Sequence, residues 1–328
     1  MSELLGDATR DTLAQLWMKN FAKNIENGLL SDHKFSEILF PEPPPSKLKT
    51  SLKTAALVVG AGPSLVANKH LELLNDWACD DIHNRGLLTI FATDRVLVPF
   101  VKQTNIVPDY VVTVDGNSEK IARFYDDPSV KAAVSEYRPK AVLAATVSPN
   151  VVAVCKKNSL PIYWFVAMLD QFNLTNNITR LMHFMTGATA VNCGGNSGSS
   201  AWALANYLEA PEIALIGLDY GYLKGTPIEQ TAYYETLKDK AADPTAIFAL
   251  YFDHHNPDFN IDCYSDIMFG HYKEAFLNML GLASLSRPSL RTVNCTEGGI
   301  LHGAGLKGMK FKDWLNSLER QERPQVAA

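Results

Sequence analysis

The sequence predicts an α/β protein built on a Rossmann-like, doubly wound, mostly parallel sheet. Three observations carry this. Apolar, β-favouring runs recur along the chain: AALVVG (55–60), GLLTIFAT (86–93), DYVVTVD (109–115) and EIALIGLD (212–219). Segments with helical spacing separate them, so the strands read as the apolar-throughout type that helices cover on both faces. Several runs end in Gly or Asp, and the carboxyl edge of such a sheet is where ligands bind.

The elements follow in order. At 8–30, Leu13, Leu16, Trp17, Phe21, Ile25 and Leu29 recur at three- and four-residue steps and predict a helical arm. The proline-rich FPEPPPSKLKTSLKT (40–54) ends it as a semi-rigid linker. The expected division is therefore 1–50 for arm and linker and 51–328 for the main domain.

In that domain AALVVG is the first strand and SLVANKHLELLNDWA (64–78) the helix after it. GLLTIFAT is the second, followed by RVLVPFVKQT (95–104), and DYVVTVD the third, followed by SEKIARFYDD (118–127). PKAVLAATV (139–147) is the fourth, then the helical NVVAVCKKN (150–158) and the strand PIYWFVA (161–167). SGSSAWALANYLEA (197–210) is a helix and EIALIGLD the strand after it. From 222 to 270 the periodicity loosens, which predicts a lid or insertion near the site. HYKEAFLNMLGLASLS (271–286) resumes as helix, RTVNCTEGG (291–299) is a last strand and turn, and KFKDWLNSLERQ (310–321) a closing amphipathic helix.

Composition narrows the classes. Apolar residues make up 47% and charged residues 20%, which predicts a folded core rather than disorder. A net charge of −5 argues against a general nucleic-acid binder. Five scattered cysteines without a CxxC pair read as reduced thiols of a cytoplasmic protein. The N-terminus has no apolar signal region, and no run approaches the ~20 residues of a membrane span.

The candidate chemistry lies at strand ends. In LVVGAGPSL, Gly60, Gly62, Pro63 and Ser64 let backbone approach a ligand closely and aim a helix N-terminus at negative charge. Ser64 would cap that helix or bond a phosphate oxygen. The pattern is neither GxGxxG nor a Walker A, and a plain strand-to-helix turn stays open. Asp94 and Asp115 follow strands two and three and suit a ribose hydroxyl, a metal ion or a helix cap. NCGGNSGSSA (192–201) is a second glycine-rich loop, with Asn196, Ser197, Gly198 and Ser199 in one turn. Two such loops flanking one anion form a stronger signal than either alone.

Asp219, in GLDYGY, is a candidate metal or donor contact, and Asp115 is the other metal candidate. NCTEGGILHGAG (294–305) offers Asn294, Thr296, Glu297, Gly298, Gly299 and His302 as a loop to close over a ring. His271 and His302 are the leading candidates for a general base, though a surface or packing role is the commoner one for a histidine. DHHNPD (253–258) has metal-friendly residues without a recognised spacing. No GxSxG elbow is present, which weighs against an esterase.

The segments LVVGAGPSL, IVPDYVVTVD, GGNSGSSAWALA, IALIGLDYGY and VNCTEGG resemble, in this order, the MptE-like family. That family groups archaeal 6-hydroxymethylpterin diphosphokinases with the central domain of the motility accessory factor (Maf) flagellin glycosyltransferases. The resemblance spans about residues 15–320 and is most specific in the GPSL and NCTEGG loops. It implies a nucleotide-handling transferase, with a bacterial sialyltransferase-like GxGPS loop. On that analogy Gly60, Gly62, Pro63 and Ser64 border the donor phosphate, and Asn196, Ser197, Gly198 and Ser199 lie on its other side. Asp115 and Asn117 face the donor sugar or a metal.

Pterin kinases carry an HGDN-like motif late in the sheet, where this chain reads GLDYGY, nearer the Maf form. The first expectation is therefore a glycosyltransferase using a CMP-activated sugar of the nonulosonic type, with a protein or glycan hydroxyl as acceptor. The alternative is an ATP- and Mg²⁺-dependent pterin diphosphokinase with Asp94, Asp115 or Asp219 on the metal and Tyr220, Tyr222 or Phe252 stacking the pterin. A nucleotide-binding protein without catalysis is a third class. The sequence leaves the acceptor, the oligomeric state, and whether the arm packs in cis or in trans open.

Overall fold

The computed structural model describes residues 2–38, 55–81, 83–117, 119–170, 177–239 and 246–322. The proline-rich linker lies outside them. The strands are β1 (His33–Lys34), β2 (Ala55–Val59), β3 (Leu88–Thr93), β4 (Tyr110–Thr113), β5 (Lys140–Ala144), β6 (Ile162–Ala167) and β7 (Ala190–Val191). Then come β8 (Glu212–Ile216), β9 (Tyr222–Leu223), β10 (Tyr251–Asn256), β11 (Ile261–Asp266), β12 (Arg291–Asn294) and β13 (Leu306–Gly308).

The main sheet runs β1-β6-β5-β4-β3-β2-β8-β12-β13, with β7 also on β6, and every pairing is parallel. Strand order reverses between β2 and β8, which makes their carboxyl ends the topological switch point. The apolar runs are explained by burial on both faces. In β2, Ala56 and Val58 face the cluster built with Trp202, Leu204 and Phe276, while Ala55, Leu57 and Val59 face the cluster of Leu74, Trp77 and Trp314. In β5, Val142 and Ala144 join the first cluster, and Ala141 and Leu143 a third, with Tyr125, Val130 and Val151.

Several elements depart from the expected pattern. The helix after β2 breaks into Ser64–Ala67 and His70–Asp80, because Lys69 takes a left-handed φ of 52°. The arm helix spans Ser2–Asn24 and passes into a π-turn (Ile25–Leu29) that contains Gly28 at φ 100°. The helices Pro128–Glu136 and Ile178–Thr186 and the short strands β1, β7 and β13 are additional to those the sequence predicted.

The expected lid at 222–270 contains an antiparallel sheet, β10-β11-β9. Tyr251 pairs with Asp266 and Asn256 with Ile261, across a turn that includes Asn260 at φ 52°. Tyr222, Tyr264 and Phe269 pack together there, with ring centroids 5.1–5.2 Å apart where they meet Tyr222. Aromatics on both faces explain why alternation was hard to see in the sequence.

Candidate functional site

Two strand ends cross at the switch point. The Gly60 N–H donates to the Ile216 carbonyl and the Gly62 N–H to the Gly217 carbonyl, both at 2.8 Å. A Cβ on Gly60 would overlap the Gly217 carbonyl, and a Cβ on Gly217 the Gly60 carbonyl. Both obstacles are backbone, so these glycines are required by loop-on-loop packing whatever binds nearby.

Asp219 lies behind this crossing, 2% exposed. Its carboxylate accepts the Ser64 N–H at 3.2 Å and the Ser64 hydroxyl at 2.8 Å. Burial pushes its pKa up to about 7 against the lowering effect of the Ser64 bonds. Gly62, Gly298 and Gly299 close around it so tightly that a Cβ on any of them would meet an Asp219 atom. The loops after β2, β8 and β12 are thus locked around one carboxyl group.

A cavity of about 990 Å³ opens above these strand ends. Gly60, Gly62 and Pro63 line one side and Asn196, Ser197 and Gly198 another, so both glycine corners share one cleft. They do not contribute equally. In the first corner the amides of Gly60, Gly62 and Ser64 are engaged by β8, its following loop and Asp219, leaving that of Ala61 without an acceptor among the described residues. In the second, the N–H groups of Gly195, Ser197 and Gly198 have no acceptor among the described residues.

The second corner opens the helix Ser197–Tyr207, whose N-cap is Asn196. Asn196 Oδ1 accepts the Ser199 N–H at 2.9 Å, and Ser199 Oγ meets the Tyr220 hydroxyl at 2.7 Å. Tyr220 is itself held at a left-handed φ of 46°. This clasp fixes the direction in which the helix's free amides and positive dipole end point.

Carboxylates form the third side. Asp94 and Asp115 both line the cavity. Burial drives the Asp94 pKa up to about 6; the Thr113 hydroxyl lowers it and the Asp115 charge raises it. Thr113 Oγ1 in turn meets the Tyr125 hydroxyl at 2.8 Å. The Ser197 hydroxyl reaches Asp94 at 3.5 Å, which joins this side to the second glycine corner. Asp115 Oδ1 accepts the Asn117 N–H at 2.8 Å, so the DGN sequence forms an Asx turn. Arg95, exposed at the rim, adds positive charge beside Asp94.

The fourth side is aromatic: Tyr220, Tyr222, Tyr233, Phe269 and Tyr272 line the cavity, with the Tyr233 and Tyr272 hydroxyls 3.2 Å apart. His271 lines it too. Its Nδ1 is buried without a hydrogen-bond partner among the described residues, and burial pulls its pKa below the ordinary 6.5.

Several sequence candidates, Phe252 and Asn294 among them, stand outside the cavity lining. Ser64 is turned to Asp219 and Ser199 to Tyr220, so neither hydroxyl faces the cleft. Asn117 is exposed beside the site and contributes its backbone to the Asp115 turn. His302 lies apart, with Nε2 3.4 Å from Lys273 Nζ. Thr296 is fully buried, and its NCTEGG loop does not close over the cleft. Glu297 of that loop turns to His70 at 3.4 Å and accepts the Phe311 N–H at 2.9 Å. The loop is a support for Asp219.

The metal candidates divide in the same way. Asp219 gives both oxygens to Ser64. Asp94 and Asp115 remain in the cleft, a pair that fits Mg²⁺ bound by one or two carboxylates together with phosphate oxygens. Among the described residues no group of three His, Cys, Asp or Glu assembles for a metal. None of the described helices is long and apolar enough to cross a membrane.

The family model for 6-hydroxymethylpterin diphosphokinase MptE-like proteins matches residues 19–225, well over half of the chain. The chain belongs to the MptE-like family. The match takes in both glycine corners, Asp94, Asp115 and Asp219, and stops before the NCTEGG loop, Tyr233 and His271. None of the curated proteins matches the chain.

Among solved structures, a MAf glycosyltransferase from Magnetospirillum magneticum AMB-1 shares the fold at a TM-score of 0.53 and 15% identity. The likeness covers 94% of this chain and 40% of that one. This family member therefore spans less than half the length of that glycosyltransferase.

Arg95, Thr146 and Tyr233 are cavity residues to which sequence reasoning gave no role. Arg95 was legible as a cation placed directly after the strand-end Asp94. Thr146 and Tyr233 arrive through tertiary packing, with no local signal.

Proposed function

We propose that the protein is a nucleotide-dependent transferase of the glycosyltransferase kind, with a CMP-activated sugar as donor and a hydroxyl as acceptor. The observation that carries this reading is the set of unengaged amides of Gly195, Ser197 and Gly198 at the start of a clasped helix. They face a cavity large enough for a nucleotide sugar.

A departing phosphate gains negative charge as the glycosidic bond breaks. Fixed N–H dipoles at the place where that charge develops lower the barrier without reorganising. Arg95 supplies a further positive charge at the rim. The acceptor oxygen attacks the anomeric carbon, the bond from that carbon to the phosphate oxygen breaks, and the nucleoside monophosphate leaves. His271, kept neutral by its burial, accepts the acceptor's proton. Asp94 and Asp115 suit the ribose or sugar hydroxyls.

A second reading, ATP-dependent pyrophosphoryl transfer to a pterin alcohol, draws on the carboxylate pair and the tyrosine wall. Asp94 and Asp115 would hold Mg²⁺, which neutralises phosphate charge when bound. The tyrosines would stack the bicyclic ring.

Thermal shift with CMP, a CMP-sugar and ATP with and without Mg²⁺ separates the two. Stabilisation by CMP or its sugar without metal is the expected result. Stabilisation by ATP only with Mg²⁺ replaces the first reading with the second, and no shift with any of them overturns both.

A further inference from the structure

The N-terminal helix does not lie along the flank of the domain. Asn20 Nδ2 donates to the Gly116 carbonyl at 2.7 Å and the Thr146 carbonyl at 3.1 Å. One turn on, Asn24 Nδ2 donates to the Ala145 and Val147 carbonyls at 3.1 and 2.9 Å. Both asparagines are buried, at 6% and 0% exposure. The four carbonyls belong to the segments that follow β4 and β5, at the ligand-binding edge of the sheet. Two asparagines at i and i+4 on one helix face thus bolt the helix to that edge.

This docking puts Leu13 and Trp17 in the cavity wall. A Cβ on Gly116 would lie 2.8 Å from Trp17 Cδ1, so the indole rests on the backbone of the Asp115 turn. The helix also meets helix Ile267–Ser286, which carries His271 and Tyr272.

The positions along the edge have an order. The unengaged amides of Ser197 and Gly198 stand by the ends of β8 and β3: Gly198 faces Leu218, after β8, and Ser197 reaches Asp94, after β3. Next comes Asp94 at the end of β3, the place where a doubly wound sheet offers a carboxylate to a ribose. Beyond it are Asp115 and Gly116 at the end of β4, under Trp17. Three strand spacings from β8 to β4 make roughly 14 Å, room for a nucleoside together with its phosphate. The family match begins at residue 19, so Leu13 and Trp17 lie outside it while the phosphate and ribose positions lie inside.

We infer that the N-terminal helix is a wall of the ligand site and that Trp17 stacks on the nucleobase, with the phosphate held by Ser197 and Gly198. The inference rests on the nucleotide reading above and adds a residue to it. An indole offers a flat apolar face, and a base has one to match it.

The test uses the full chain with CMP and Mg²⁺-ATP as probes, and pyrophosphate as a probe with no base. Trp17 is one of five tryptophans; Trp77, Trp164, Trp202 and Trp314 are at most 6% exposed, and none of them lines the cavity. Nucleotide binding should therefore quench intrinsic fluorescence through Trp17. Trp17→Phe should lose the quench while its calorimetric Kd stays within a few-fold. Trp17→Ala should weaken nucleotide binding about 10-fold or more, by the usual effect of removing a stacking ring, and leave pyrophosphate binding unchanged. Asn20→Ala with Asn24→Ala should reproduce the loss by releasing the helix. If Trp17→Ala binds nucleotide like the wild type, or loses pyrophosphate to the same degree, the inference is wrong. If the wild type binds pyrophosphate but neither nucleotide, the nucleotide reading itself fails.

Discussion

The carboxyl of Asp219 makes a prediction that can be worked through. It is enclosed by three loops, and its pKa stands near 7 in the folded protein against an ordinary 3.8. A carboxylate whose folded pKa is raised contributes most stability when protonated. That contribution is complete below about pH 4 and is lost as the pH rises through 7. Three units correspond to about 4 kcal/mol, of which about 3 falls between pH 5 and 8.

Asp219→Asn removes the charge; its amide oxygen can still accept the Ser64 N–H, and its NH2 can donate to the Ser64 hydroxyl oxygen. Urea unfolding should therefore show the wild type losing about 3 kcal/mol from pH 5 to 8 from this site, and the Asn variant losing almost none of it. Residual slope below pH 6 includes the loss from Asp94, whose pKa is raised to about 6, and from Asp266, also raised by burial, opposed by the histidines whose pKa burial lowers. At pH 8 the Asn variant should be the more stable of the two. Asp219→Ala should act in the opposite sense, because the Ser64 N–H and hydroxyl lose their acceptor at about 1–3 kcal/mol each. Equal pH slopes for wild type and Asp219→Asn would refute the picture of a charge confined by Gly62 and Gly298.

Other expectations follow from the same geometry. Gly60→Ala should destabilise the fold by several kcal/mol, visible as a lowered thermal midpoint even without ligand, since its methyl meets the Gly217 carbonyl with no side chain able to move. Under the glycosyltransferase reading, His271→Gln should lower kcat about 100-fold or more and remove the acid limb of the pH–rate profile. In the wild type that limb should have its midpoint below 6.5, because burial depresses the His271 pKa. His302→Ala, outside the cavity, should keep wild-type kcat.

Much of the sheet was legible because a strand buried on both faces must be apolar throughout, as β2, β3 and β8 are. The edge strands β1, β7 and β13 have two or three residues each, too few for any period to show. The position of the glycine corners at strand ends was legible too. Which amides stay unengaged was not: the partner of Gly62 is the carbonyl of Gly217, distant in sequence, and the partner of Ser64 is Asp219.

The same distance hid the role of the NCTEGG loop, whose glycines serve Asp219 and not a ligand. Asn20 and Asn24 did carry a signal. Two amide side chains one turn apart, on the face that also holds Phe21, had to find buried partners.

The central claim is that an anion is gripped by the free amides at the start of helix Ser197–Tyr207. Ser197→Pro tests it most directly. Position 197 is the first helical residue, where proline is well tolerated, and Asn196 already has the extended φ −151° and ψ 162° that a following proline needs. The change deletes one N–H and the hydroxyl that reaches Asp94 and leaves the helix in place; Ser197→Ala, which removes the hydroxyl alone, is the control and should bind CMP nearly as the wild type does. Calorimetric titration with CMP should show a fall in affinity of about 10- to 100-fold, the loss of one hydrogen bond to a charged group, with a thermal midpoint close to that of the wild type. Unchanged CMP affinity in a folded Ser197→Pro protein would contradict the account.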